Sequence, residues 1–129
     1  MITDPDVDSL TAEADGRFLL GGAECSALIR THRLGRLVWT ETAGPQVRPV
    51  GYRSRLDGTE IMIGGGNLNT RLRAGQLVAL QIDDLDLETA VGWSVTAYGR
   101  ITRGATIGVL AVAVDRHSGT YWTGDGHGD

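Results

Sequence analysis

From Arg36 onward the apolar residues of this chain recur every second position, segment after segment. Alternation of that kind puts successive side chains on opposite faces, so it calls for half-buried strands rather than helices. Six such segments are legible: Arg36 to Thr42, Gln46 to Arg55, Thr59 to Ile63, Leu77 to Asp83, Gly92 to Thr102 and Ile107 to Asp115. Ala43-Gly44-Pro45 turns the first into the second, and Asp57-Gly58 is the strongest hairpin signal in the chain. Pro49 lacks an N–H to give a ladder, which points to an edge or a bulge there. Nineteen glycines without a collagen period fit many turns between short strands.

Two pieces keep a helical period. In residues 23–33, Cys25, Leu28, Ile29 and His32 fall on one face, and Gly35 stops the run. Asn69 to Ala74 reads as a second short helix closed by Gly75. Residues 1–17 carry five acidic side chains and few apolar ones, and read as a flexible lead-in. Residues 18–123 form one domain, and 124–129 a flexible tail. The predicted fold is mainly β: a six-stranded, closed or nearly closed barrel with two short helices.

Charge and composition exclude several classes. A net charge of −4 does not suit a nucleic-acid binder. The 12 basic residues are all arginine, so lysine Schiff-base chemistry and a P-loop lysine are both out. Cys25 is the only cysteine, which fits a reducing, cytoplasmic setting, and on the apolar helix face it reads as a small core residue. The acidic N-terminus is no signal peptide, and the apolar run near Ile107 to Val114 is too short to span a bilayer, so no membrane role is expected. Asp4-x-Asp6-x-Asp8 has Ser9 where a calcium loop needs Gly, and no metal site is expected.

The stretch richest in chemistry is Gly64-Gly65-Gly66-Asn67-Leu68-Asn69-Thr70-Arg71. Glycines let a backbone approach a ligand, and Asn69, Thr70 and Arg71 bring amide, hydroxyl and guanidinium donors for an anion. It is not a dinucleotide fingerprint, because the G-x-G-x-x-G spacing and the βαβ context are both missing. The other readings are a turn with positive φ and ordinary solvated polar residues. Trp93 and Tyr52 suit either the wall of a flat ring or the barrel core and interface. His32 reads chiefly as a buried or interfacial histidine. No serine sits in a nucleophile elbow or triad spacing.

The order of Glu24 to Leu37, Pro49-Val50-Gly51-Tyr52, Gln81-Ile82-Asp83-Asp84, Gly92-Trp93-Ser94-Val95 and Gly99-Arg100 resembles the pyridoxamine 5′-phosphate oxidase-like split barrels. The likeness is greatest to their small actinobacterial and nitroimidazole-reductase-like branch, and it runs from about Gly22 to Arg103. It implies a homodimer with two flavin sites at the interface, holding FMN or, in some branches, a deazaflavin. It implies a cofactor phosphate held by Arg48 on the second strand and by Thr70 and Arg71 beyond the third, with Pro49, Val50, Gly64, Gly65, Asn69 and Trp93 around the cofactor. Where family members usually carry Thr or Ser, this chain has Gly64-Gly65-Gly66, which leaves contacts there to backbone N–H groups. The activity implied is hydride transfer to or from a small organic substrate. The alternatives are a non-catalytic carrier of a flavin-like ligand, or a barrel dimer that has lost its cofactor.

Overall fold

The computed structural model describes residues 11–14, 16–64, 68, 71–102 and 108–124. Its elements are β1 (Thr11–Ala14), β2 (Arg17–Leu19), α1 (Gly22–Thr31), β3 (Leu34–Glu41), β4 (Gly44–Ser54), β5 (Glu60–Gly64), β6 (Leu77–Asp86), β7 (Val91–Thr102) and β8 (Val109–Thr123). Neighbours around the sheet run β8, β5, β4, β3, β6, β7, and β7 pairs back onto β8. Six antiparallel strands therefore close into a ring, and they are the six read from the alternation. The hairpin at Asp57-Gly58 forms as expected: Gly58 takes φ 74, and the Asp57 carboxylate accepts from the Thr59 N–H and hydroxyl.

Three features lie outside that reading. β1 and β2 add to the ring, and β1 falls within the stretch read as a lead-in. At three or four residues each, they are too short to show a period. β8 runs on to Thr123, well past Asp115. Its second half is polar in sequence, yet Ala97 pairs His117 and Val95 pairs Gly119. Between Tyr98 and Gly99 the register shifts, leaving Asp115 as the extra residue of a bulge. Of the second helix, residues 69 and 70 lie outside the described residues. The rest is a single turn, in which Arg71 and Leu72 N–H groups both donate to the Leu68 carbonyl at 3.0 Å.

β8 is what splits the barrel. One edge pairs β5 through Val109 to Ala113 and β2 through Thr120 to Trp122. Helix α1 packs against β4, β7 and β8, with Cys25, Leu28 and Ile29 turned inward. Its contact with β8 is tight enough that a Cβ at Gly119 would strike the Cys25 sulfur at 2.8 Å. Burial by α1 pushes the Cys25 thiol up to about 11, so it stays protonated and inert at neutral pH. Tyr52 on β4 donates its hydroxyl to the Ile29 carbonyl at 2.7 Å, satisfying one of the open carbonyls at the helix end. Leu68 and Leu72 are also buried in the core. Each such buried leucine contributes on the order of 1.5–3 kcal/mol. No helix among the described residues is long and apolar enough to cross a membrane.

Candidate functional site

The Asp57-Gly58 hairpin sets the register of β4 against β5. Ser54 pairs Ile61 and Arg53 pairs Met62, which brings Gly51 opposite Gly64. Gly64 in turn pairs Val109 of β8. On the outer face of these strands the two glycines therefore lie side by side and leave bare backbone. Among the described residues, a Cβ on Gly64 would meet nothing within 4 Å, and one on Gly51 only the Arg33 carbonyl at 3.9 Å. The Tyr52 N–H donates to that carbonyl at 2.8 Å, which fixes Arg33 beside Gly51.

The result is a hollow of about 450 Å³ lined by Arg33, Gly51, Tyr52, Arg53, Met62, Gly64 and Val109. That volume is within the range of small-molecule sites. Arg33 and Arg53 are exposed, and neither guanidinium makes a hydrogen bond or ion pair to another described residue. Among the described residues no acidic side chain lines the hollow. In a chain of net charge −4, this is a place where positive charge is concentrated and not answered by a described residue. The Tyr52 hydroxyl is committed to Ile29, and burial pushes its pKa upward, so it does not act as an acid or base at neutral pH. The hollow can hold a flat ring over its glycines and an anion between its arginines.

Of the residues singled out in the sequence, Gly64 is in this floor. Val50 is buried on the inner face of β4, and Pro49 is exposed on the outer face. Gly65, Asn69 and Thr70 lie outside the described residues. Arg48 faces inward beside Leu37 of β3 and is half-buried. Arg71 grips Glu41 with both arms of its fork: Nε donates to one carboxylate oxygen at 3.0 Å and Nη2 to the other at 2.7 Å. Trp39 adds its indole N–H to the same carboxylate at 2.8 Å, and the Arg71 guanidinium lies 5.6 Å from the Trp39 ring. Hydrogen bonds from Arg71 and then Trp39 hold the Glu41 carboxyl below its ordinary pKa, and the charge of Arg48 acts in the same direction. The stability this lends is present above the usual glutamate pKa and is lost as pH falls through the lowered one. Arg71 is thus bound to Glu41, whereas Arg48, opposite Leu37, acts on that carboxyl through its charge alone.

Trp93 is elsewhere. It is 4% exposed on β7 and packs edge-on against His32, with ring centroids 4.9 Å apart. His32 caps the C-terminus of α1 just before β3, half-buried, and its Nδ1–H donates to the Leu28 carbonyl at 2.7 Å. The Trp93–His32 contact thus lies by the Leu34 end of β3 and the Arg71–Glu41 pair at the other, a strand rise of roughly 23 Å away. Trp93 borders a second hollow of about 450 Å³ with Arg36, Asp83, Leu85, Leu87, Ser94 and Trp122. Arg36 there is already answered by Asp83 at 3.2 Å and Gln81 at 2.9 Å. Among the described residues, the hollow over Gly51 and Gly64 is lined by two arginines for which no ion pair to a described residue is seen. Arg33, Gly51, Arg53 and Glu41 had not been picked out from the sequence. The glycine pair was available by counting outward from Asp57-Gly58; the Glu41–Arg71 pair, 30 residues apart, was not.

Set against known proteins, residues 22–115 match the sequence profile of a family described as pyridoxamine 5′-phosphate oxidase. No curated protein sequence matches the chain. Among solved structures it is similar to the FAD binding protein from Mycobacterium smegmatis, with TM-score 0.67 and 23% identity over 82% of this chain and 98% of that one. A FAD-binding protein from Mesorhizobium loti superposes with TM-score 0.68 and 19% identity over 81% and 96%. A FAD and heme binding protein from Mycobacterium smegmatis does so with TM-score 0.61 and 16% identity over 80% and 72%. At these identities the likeness establishes the shared fold.

Proposed function

The chain belongs to the pyridoxamine 5′-phosphate oxidase family, and on that premise we propose that it binds a flavin nucleotide, FMN, over the Gly51–Gly64 floor. The observation that carries this reading is the hollow itself: bare paired glycines between two arginines that make no hydrogen bond or ion pair to another described residue. The flat ring would lie on the glycines and beside Met62 and Val109, and the phosphate would meet Arg33 and Arg53. A deazaflavin has the same flat ring and anionic chain and would sit in the same way. The names of the similar Mycobacterium and Mesorhizobium proteins, which bind FAD, support a flavin.

When bound, a flavin supplies hydride chemistry, and the function proposed is that of an oxidoreductase acting on a small organic substrate. The chain's own part is to seat the ring, neutralise the phosphate and leave one ring face open. One observation favours a carrier instead: among the described residues the lining holds no free general acid or base. Turnover of a reductant by the flavin-loaded protein separates the two.

The test of the phosphate's place uses Arg53→Ala with two ligands. FMN affinity should fall roughly ten- to hundredfold, as loss of a charge-assisted bond implies. Riboflavin, which lacks the phosphate, should bind the variant and the parent alike. Equal loss for both ligands, or no loss for FMN, removes Arg53 from the site.

We propose further that two copies associate. The outer face of β3, β4 and β6 leaves Leu34 78%, Val47 60% and Leu77 62% exposed, and Val38 there pairs both Val47 and Ala79. An apolar stripe of that kind suits a protein interface. Sedimentation equilibrium should give twice the chain mass; the mass of one chain at micromolar concentration contradicts the association.

A further inference from the structure

We propose that the second hollow, walled by Leu85 and Trp122 and closed at one end by Asp83 and Ser94, is a slot for a flat, uncharged aromatic carboxamide. The ladders set two rows of residues on the outer face of β6, β7 and β8. Leu85, Gly92 and Trp122 form one row, and Asp83, Ser94 and Thr120 the next row on that face. Gly92 brings no side chain, so nothing in its row stands between Leu85 and the Trp122 indole. Two strand spacings, roughly 9–10 Å, separate the flanking backbones, which leaves room for one ring between the two walls. The gap is built into the backbone, because a Cβ at Gly92 would strike the Asp84 carbonyl. Leu85 is 41% exposed and Leu87, at the rim, 87%. An aromatic ring in the slot would stack on the half-buried indole and cover both leucines.

The polar end selects the ligand's edge. Arg36 donates from Nη1 to Gln81 Oε1 at 2.9 Å and to Asp83 Oδ2 at 3.2 Å. Gln81 donates from Nε2 to the same Asp83 oxygen at 2.8 Å and to Ser94 Oγ at 3.0 Å. Among the described residues, this network leaves one donor and one acceptor unspent. The Ser94 hydroxyl donates to no described residue, and Asp83 Oδ1 accepts from none. The two stand directly opposite each other on β6 and β7, close enough to meet one small group. A carboxamide carries a carbonyl acceptor and an N–H donor on a single edge, which answers both. A carboxylate offers acceptors alone, and one of its oxygens would face Asp83. Arg36 gives no surplus charge to offset that, since Asp83 already pairs it. The slot lies three strands round the ring from the Gly51–Gly64 floor, from β4 through β3 and β6 to β7, so the inference does not rest on flavin binding.

The experiment titrates benzamide and benzoate into the 15N-labelled chain and follows its three tryptophan indole N–H resonances. Benzamide should shift the Trp122 resonance saturably, with a roughly millimolar Kd as befits so small a ligand. The Trp39 resonance, tied to Glu41 away from the slot, should stay in place and report an intact fold. Benzoate should bind at least roughly tenfold more weakly. Asp83→Asn removes the repelling charge and should bring benzoate close to benzamide. Should that variant fail to fold, Ser94→Ala deletes the donor alone and should weaken benzamide severalfold. No saturable Trp122 shift with benzamide, equal binding of the two ligands by the parent, or an unchanged preference in Asp83→Asn overturns the inference. So does a Trp122 resonance that moves with protein concentration and not with benzamide, which marks a slot covered by a second copy. Displacement of benzamide by FMN overturns it too, by making the slot part of the flavin's own site. A chain that binds benzamide in this way and takes no flavin removes only the flavin reading.

Discussion

Replacing Gly64 by Val should abolish flavin binding while leaving the barrel intact. A Cβ at this position would meet no atom of a described residue within 4 Å, and the backbone is not in the left-handed region. The fold therefore has no steric objection to a side chain there. Valine is a better strand residue than glycine, so thermal stability should hold or rise. The isopropyl group would instead stand on the floor of the hollow, where the flat ring has to lie. A ring lifted off its floor loses contact along one face, and affinity for FMN should drop at least roughly hundredfold, about 2.7 kcal/mol. Titration of FMN fluorescence against the variant, with a melting curve beside it, reads both halves. Unchanged binding in a folded variant would place the flavin somewhere other than over Gly51 and Gly64.

Trp93→Ala should have the largest effect on stability. The ring is 4% exposed and is held edge-on against His32 at an interplanar angle of 73°. Asp84 and Tyr121 flank it across the two neighbouring ladders. Truncation of a buried tryptophan costs roughly 3–5 kcal/mol. Against the ordinary 5–15 kcal/mol of a small domain, that is a large share of the whole. Urea unfolding at neutral pH should show the midpoint falling sharply at a constant slope. A loss below about 1 kcal/mol would mean that the ring belongs to the neighbouring hollow rather than to the core.

How much of this was legible in the sequence differs by element. Most strands of the ring announced themselves by one buried and one exposed face, as in β3, where Leu37 and Trp39 are buried and Arg36 and Thr40 exposed; β8, with Leu110, Ala111 and Val112 buried in succession, was legible as an apolar run. β2 is three residues, too short to carry a period. The second half of β8 was hidden by the polarity of Asp115, Arg116, His117 and Ser118, although Arg116, His117 and Ser118 pair with β7. His32 was expected on the apolar face of α1 and does pack there, but as the cap, through Trp93.

The candidate site was legible only where it is local. Glycine at position 64 was read as a place of close approach, and the structure gives it the floor of a hollow. Its partner Gly51 needed the hairpin register, which Asp57-Gly58 in principle supplied. Arg53 looked like one more polar residue on a strand; only the closed barrel shows that it and Arg33 face the same hollow. Arg48 and Arg71 were read as holding one cofactor phosphate; the structure binds Arg71 to Glu41. That pairing depends on β3 and the segment after β5 meeting through tertiary structure, which no local pattern encodes.

The most direct measurement is an equilibrium titration of the purified wild-type chain with FMN, followed by quenching of flavin fluorescence. The account predicts saturable binding at one FMN per chain, competed by riboflavin with lower affinity and weakened by salt as screening of Arg33 and Arg53 requires. No saturable binding of FMN, and none of a deazaflavin in the same assay, would contradict it.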